Sequence, residues 1–367
     1  MSCYSKAIES LFEYRELSGA VDQKRLPMGV LGLSHIHKAH FIHALCEEKK
    51  KKALVIVPDE ANATRLQGDL SAMGTAAFVL PAADLSFRPT QAHSREYEQQ
   101  RLGVLSAMLE GEPDAVILSA EAALQFTMPP QVLRRNTMVI GQDSEIVTDM
   151  IAEDLIAAGY VRSDLVEGKG QFSVRGGLID IFPPSSPNPV RIELWGETVD
   201  NIAFFDPETQ RRTEQIGEIR ITPATNVLFE DADSLIALIQ KQIASVKSKN
   251  AAKVKAQLEE DIEKLKSGVR IESLDRYIPL LYGTDSTIFD YAQEYQLIVC
   301  ETSAVKQHAL AAEKLMQEDI KAMFAEGVLS KGMDTFSIPF DRLVSLYEKK
   351  KALYFDNLAR GSFDTPV

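Results

Sequence analysis

The 367-residue chain carries 40 Lys and Arg residues against 53 Asp and Glu residues, which leaves a formal net charge of −13, and 45% of its residues are hydrophobic. Because single cores seldom grow beyond roughly 250–300 residues, two or three domains are expected. An acidic chain is poorly attracted to a phosphate backbone, so a primary nucleic-acid binder is disfavoured, although a local basic patch stays open.

The first third of the sequence alternates short apolar runs with helical patterns. Strands are predicted at residues 53–57, 76–80 and 115–118, and helices at residues 60–73 and 95–109. Continuous runs of Val, Ile and Leu joined by helices are typical of a parallel sheet that helices cover on both faces. We therefore predict an open α/β domain whose first part spans residues 1–136.

From residue 137 the pattern changes to closely spaced strands and turns, with strands predicted at residues 171–182, 190–195, 200–205 and 218–222. We assign residues 137–223 to a small sheet-rich domain inserted in the first one. Residues 224–345 turn helical again, with one buried strand at 297–300, and are predicted to complete the first α/β domain. Residues 346–367 are predicted to be a C-terminal tail or the start of a linker.

A segment that resembles a phosphate-binding loop follows Pro27. Counted from Gly29, the pattern GxxxxGK[ST] requires Gly, Lys and Ser or Thr at residues 34–36, where this sequence has Ser34, His35 and Ile36. Ser34 is not the glycine that the tight turn needs, and His35 does not carry the permanent charge of a lysine at neutral pH. Ile36 has no hydroxyl group for magnesium. The loop also contains Gly32, which does not restore the motif. We predict a degenerate nucleotide site with no cofactor and no ATP hydrolysis.

Histidines, cysteines and lysine runs invite other interpretations. The helix after the loop carries His37, His40, His43 and Cys46 at three-residue steps, which spiral around the helix, so at most adjacent pairs could share an ion and no metal is expected. Three distant cysteines without CxxC fit reduced thiols in the cytoplasm. The runs 49–52 and 349–351 could form a nucleic-acid patch, but lysines at a helix end that point into water are the preferred interpretation. The N-terminus does not resemble a secretion signal, and no apolar run is long enough to span a membrane.

Strict alternation marks the strand at residues 190–195. If Val190, Ile192 and Leu194 face the core, then Arg191, Glu193 and Trp195 project together from the other face. Trp and Arg residues are frequent anchors of protein interfaces. The face is therefore either a partner-binding surface or a contact with a neighbouring domain of the same chain, and alternation does not decide between them.

A second arginine, Arg175, precedes a double glycine, which suggests a bulge or bend that re-aims its side chain. The acidic residues Asp180, Glu193 and Asp206 lie on or beside strands, but no His or Lys is spaced with them as an acid–base set, and no GxSxG motif occurs. No catalytic constellation is predicted.

Residues 175–212, RGGLIDIFPPSSPNPVRIELWGETVDNIAFFDPETQRR, resemble the hallmark segment of the domain shared by UvrB and the bacterial transcription-repair coupling factors, the Mfd family. The stretches VPDEANATRLQGDL, ITPATNVLF and SLDRYIPLLYG agree more weakly. UvrB has an intact phosphate loop and an aromatic hairpin that clamps DNA, neither of which is seen in this sequence, so it is more similar to the N-terminal region of the Mfd family.

This resemblance implies a degenerate, RecA-like P-loop domain with an inserted domain similar to domain 2 of UvrB. It also implies a function, the recruitment of UvrA in nucleotide excision repair by mimicry of UvrB. The family's UvrA-binding residues fall on Arg175, Arg191 and Trp195, and Glu193 between them is included. In the family, RNA polymerase and double-stranded DNA are bound by further regions that the 367 residues do not resemble. Two alternatives remain, a UvrB-like ATP-dependent helicase and a nucleic-acid-binding module.

Overall fold

Two six-stranded sheets organise the chain, as seen in a computed structural model that describes residues 2–85, 87, 95–247, 250–269, 271 and 273–358. The strands are β1 (Met28–Leu31), β2 (Ala53–Val57), β3 (Ala77–Leu80), β4 (Ala115–Ser119), β5 (Met138–Gly141), β6 (Val161–Arg162), β7 (Gln171–Arg175), β8 (Leu178–Ile181), β9 (Val190–Trp195), β10 (Thr198–Phe205), β11 (Arg212–Gln215), β12 (Glu218–Ile221), β13 (Gln296–Cys300) and β14 (Leu353–Asp356). The α-helices are α1 (Cys3–Glu9), α2 (Phe12–Asp22), α3 (His35–Lys49), α4 (Glu60–Ala72), α5 (Glu96–Glu110), α6 (Ala120–Leu124), α7 (Pro130–Arg135), α8 (Thr148–Ala157), α9 (Ala232–Ser245), α10 (Ala251–Lys266), α11 (Ile278–Tyr282), α12 (Ile288–Tyr291), α13 (Thr302–Glu326) and α14 (Phe340–Lys349).

The first sheet is parallel throughout, in the order β1-β14-β13-β2-β4-β3. Every residue of β2 and β4 is buried, as their unbroken apolar runs predict. One apolar core lies on each face of this sheet, around Leu54 and Ile56 on one side and Val55 and Ile117 on the other. The predicted α/β class is thus confirmed.

The second sheet has the order β11-β10-β9-β8-β7-β6 and is antiparallel except between β6 and β7. Its apolar face packs against α8 through Ile151 and Leu155, and Phe172 and Ile192 are fully buried there. A separate two-stranded ladder pairs β5 with β12, which come shortly before and after this sheet in the sequence. The strands 171–182 predicted as one run form a hairpin, β7 and β8, because Gly176 and Gly177 turn the chain.

The end of the chain departs from the expectation of a tail or linker from residue 346. Leu353–Asp356 forms β14, which lies between β1 and β13 in the parallel sheet. Its burial explains the difference, since Leu353 and Phe355 are fully buried in the core. Residues 359–367 of the predicted tail lie outside the described residues. The domain boundaries at residues 136 and 223 stay predictions.

Among the described residues, no helix is both long enough and apolar enough to cross a membrane.

Candidate partner-binding face

The alternation predicted for β9 is present in the structure. Val190 and Ile192 are fully buried in the core of the second sheet, and Leu194 packs against that core partly buried. Arg191 and Glu193 are partly exposed on the opposite face. Sheet geometry therefore displays every second residue of this strand on a surface that the core does not use.

Trp195 ends β9 and lies almost entirely in solvent, with 85% of its surface exposed. Gly196 and Glu197 form the two-residue turn to β10, and Gly196 has a φ of +68°, which favours glycine. The alternative that the indole packs against another part of the same chain is wrong for the described residues. An exposed tryptophan on a hydrogen-bonded strand is a ready anchor for a partner.

Arg175 ends β7 and is 47% exposed in its side chain. Of the two expected features, a bulge or a bend, the structure has a bend in the form of a tight hairpin turn, since Arg175 pairs directly with Leu178 and Gly176 has a φ of +59°. A Cβ atom on Gly177 would lie 3.0 Å from the carbonyl oxygen of Leu194, which accounts for the second glycine. The turn thus lies close against the end of β9 that carries Trp195.

The Arg191 side chain is held against the face of the sheet by Asp180, its direct cross-strand partner on β8. The Asp180 carboxylate accepts hydrogen bonds from Arg191 Nε at 2.7 Å and from Arg191 Nη2 at 2.8 Å. Arg191 Nη1 donates to the carbonyl oxygen of Gln210 at 3.2 Å, and its guanidinium carbon lies 4.7 Å from the Phe205 ring centroid. The bonds to Asp180 raise the pKa of Arg191, so its charge is fixed.

Glu193 is not a free carboxylate. It forms an ion pair with Arg212 on β11 and accepts a hydrogen bond from Asn201 Nδ2 at 3.3 Å. The Arg212 side chain is half exposed, whereas Glu193 is 19% exposed. We call the surface formed by Arg175, Asp180, Arg191, Glu193 and Trp195 the arginine face. Asp180 is noted above as an acidic residue on or beside a strand, and its place on this face comes from the pairing of β8 with β9.

The loop predicted to be a degenerate phosphate site is short. Gly29 to Leu31 lie in β1 and pair with β14, so only Gly32 and Leu33 connect the strand to the N-cap Ser34 of α3. Burial lowers the pKa of His35, and its Nε2 lies 3.0 Å from Asp69 Oδ2. Ile36 is 42% exposed.

In place of a charge directed at a ligand, the same helix has a lysine bound within the protein. Lys38 is 4% exposed, and its ammonium group pairs with Glu301, the residue before α13. The positive charge of Lys38 is thus balanced by the carboxylate of Glu301, which directly follows β13.

The histidines of α3 each have their own contacts. His43 is buried, with Nδ1 2.7 Å from Thr75 Oγ1 and Nε2 2.8 Å from Ser2 Oγ, while the rings of His37 and His40 bond to Ser34 and to the Ile36 carbonyl. Within the described part of the chain, no three His, Cys, Asp or Glu residues are placed to share a metal ion. Burial raises the pKa values of the Cys46 and Cys300 thiols to about 12, so both stay protonated at neutral pH.

The lysine runs are partly used by the fold rather than pointing freely into water. Lys49 Nζ lies 2.8 Å from carboxylate oxygens of Asp22 and Glu48, and Lys52 donates to the carbonyl of Gly111. Lys350 Nζ donates to two carbonyl oxygens, at 2.9 Å each, after α12. These contacts leave less cationic surface for nucleic acid than the sequence suggested.

The comparisons with known proteins agree with the expected resemblance. Residues 138–226 match the family model described as the UvrB interaction domain. The transcription-repair-coupling factor of Bacillus subtilis is 30% identical over 339 residues, 90% of this chain and 29% of that protein. Those of Haemophilus influenzae and Staphylococcus aureus are 27% and 26% identical over 70% and 90% of this chain, and 22% and 29% of their own lengths. The chain thus spans less than a third of the length of these relatives. It is a homologue of part of the transcription-repair-coupling factors, and it contains a UvrB interaction domain.

Proposed function

We propose that the chain recruits UvrA to stalled transcription complexes in nucleotide excision repair, by presenting a surface like the one that UvrB presents. The names of its relatives and of the matched domain support the pathway. The observation that carries the proposal is Trp195, 85% exposed at the end of a paired strand and on the same face as two arginines. Large aromatic side chains beside arginines are typical centres of protein interfaces.

In this proposal the residues of the arginine face have different tasks. Trp195 buries its indole in UvrA, and Arg175, which is 47% exposed, pairs with a UvrA carboxylate. Arg191 is 14% exposed and largely bonded to Asp180, so its main task is to hold the sheet surface in shape while offering its remaining edge. Glu193 acts together with Arg212, since the two form one ion pair.

We further propose that this region acts by binding and not by hydrolysing ATP. The pairing of Gly29–Leu31 with β14 supports this, because these residues belong to the sheet and only Gly32 and Leu33 are left to form a loop before α3. The ion pair between Lys38 and Glu301 also supports it. Contacts with RNA polymerase and with double-stranded DNA are proposed to belong to parts of the relatives that this chain does not match, and the proposed site of action is the cytoplasm.

A calorimetric titration of purified UvrA with the purified chain tests the proposal. We expect a saturable complex, and we expect the isolated UvrB interaction domain of UvrB to compete with the chain for UvrA. Absence of a complex at concentrations up to tens of micromolar would reject UvrA recruitment. A complex that UvrB does not displace would reject mimicry while leaving binding in place.

A further inference from the structure

A single buried carboxylate connects the two arginines of the arginine face. Asp180 is 1% exposed, and its Oδ2 accepts hydrogen bonds from both Arg175 Nη2 and Arg191 Nη2 at 2.8 Å. Its Oδ1 accepts from Arg191 Nε at 2.7 Å. Three strands, β7, β8 and β9, are therefore joined on this face by one side chain. Hydrogen bonds between a carboxylate and guanidinium groups are among the stronger and more directional polar contacts in proteins.

The two arginines differ in what they have left to offer. Arg191 also bonds the Gln210 carbonyl and lies over the Phe205 ring, and only 14% of its side chain is exposed. Arg175 contacts Asp180 through Nη2 alone among the described residues, and 47% of its side chain is exposed. Arg175 thus has one nitrogen anchored and the others available to an incoming acceptor.

We propose that Asp180 is the positioning residue of this interface, which fixes the Arg175 guanidinium so that its free nitrogens meet a carboxylate of the partner. This inference rests on the proposed function. A long arginine side chain loses rotamer freedom when a partner orders it, and a side chain already held by Asp180 loses less. A planar guanidinium can bond the Asp180 carboxylate with one edge and a carboxylate of the partner with another. A lysine ammonium is less suited to this, because it has no such fixed fork of donors.

Substitution of Asp180 by asparagine removes the charge and keeps the size. We expect the affinity of the full chain for UvrA to fall about tenfold or more. The loss should be similar to the one that Arg175→Ala causes. Asp154→Asn is the matched control, because Asp154 is an exposed acid on α8, against the opposite face of the sheet. Thermal midpoints of all variants separate loss of binding from loss of folding.

A double-mutant cycle distinguishes positioning from a merely structural role. If Asp180 acts through Arg175, then Asp180→Asn should cost much less affinity in an Arg175→Ala background than in the wild type. Additive losses would overturn the proposal. If Asp180→Asn fails to fold, Arg175→Lys is the second variant. We expect its affinity for UvrA to be close to that of Arg175→Ala. An Arg175→Lys affinity equal to that of the wild type would also overturn the proposal.

The same titration includes Trp195→Ala, so that the two proposals fail separately. If the wild-type chain does not bind UvrA, both the proposed function and this inference fall. If the wild type binds and Trp195→Ala weakens binding, while well-folded Asp180→Asn binds like the wild type, only the positioning role of Asp180 falls.

Discussion

Replacing Trp195 with alanine removes the most exposed large hydrophobic side chain of the described residues and leaves the buried cores unchanged. The indole is 85% exposed, so the substitution should change the free energy of unfolding by less than about 0.5 kcal/mol. Any effect on UvrA binding would then come from the interface itself.

The size of that effect follows from the area that the indole can bury. A tryptophan buries roughly 150–250 Å² in a protein environment, and at about 25 cal/mol per Å² the upper limit is about 4–6 kcal/mol. Ordering and desolvation of neighbouring polar groups reduce this gain. We therefore expect a loss of about 2 kcal/mol or more, which corresponds to about 30-fold in Kd.

Calorimetric titration of UvrA with wild-type and Trp195→Ala chains measures this loss. Met150→Ala is the matched control, because Met150 is a large apolar residue, 63% exposed, on α8 against the other side of the sheet. Equal affinities of the wild type and Trp195→Ala would refute the assignment of the anchor. An equal loss in Met150→Ala would refute the assignment of the face.

Three further predictions concern the core, the buried histidine and the nucleotide site. Ile192→Ala should destabilise the chain by about 2–5 kcal/mol in urea unfolding, because Ile192 is fully buried between Ile179 and Ile202; a loss below about 0.5 kcal/mol would contradict the packing. Burial lowers the pKa of His43, so the unfolded chain takes up a proton first as the pH falls below about 6.5, and stability should decrease from pH 7.5 to 5.5. His43→Gln should make that decrease shallower. If the thermal midpoint of this variant falls with pH as steeply as that of the wild type, His43 is not the cause of the decrease. Calorimetry with Mg-ATP should show no saturable binding, and a one-to-one complex would contradict the interpretation of the short loop after β1.

Residues with a clear local pattern were predictable from the sequence. The unbroken apolar runs of β2 and β4 predict strands buried on both faces, and both are fully buried. The alternation of β9 places Trp195 opposite the core, because the side-chain period of a strand is fixed at two. For the same reason the predicted neighbourhood of Arg191, Glu193 and Trp195 needed no tertiary information.

Features that depend on register or on distant pairing were not predictable. Asp180 lies opposite Arg191 because of the register between β8 and β9, and the proline-rich connection between these strands hides that register. β14 is only four residues long and follows a lysine run, so it resembles a tail until the parallel sheet provides β1 and β13 on its two sides. The hairpin turn at Gly176 and Gly177 required the same information, since two glycines are compatible with either a bulge or a turn.

Site-specific photocrosslinking measures whether the end of β9 lies against UvrA in the complex. A photoreactive phenylalanine analogue in place of Glu197, an exposed residue in the turn after Trp195, should crosslink to UvrA on irradiation, and excess UvrB interaction domain should suppress the product. The same analogue in place of Met150 on α8 should give no crosslink. A crosslink from residue 150 and none from residue 197, with binding intact, would show that UvrA does not bind at the arginine face.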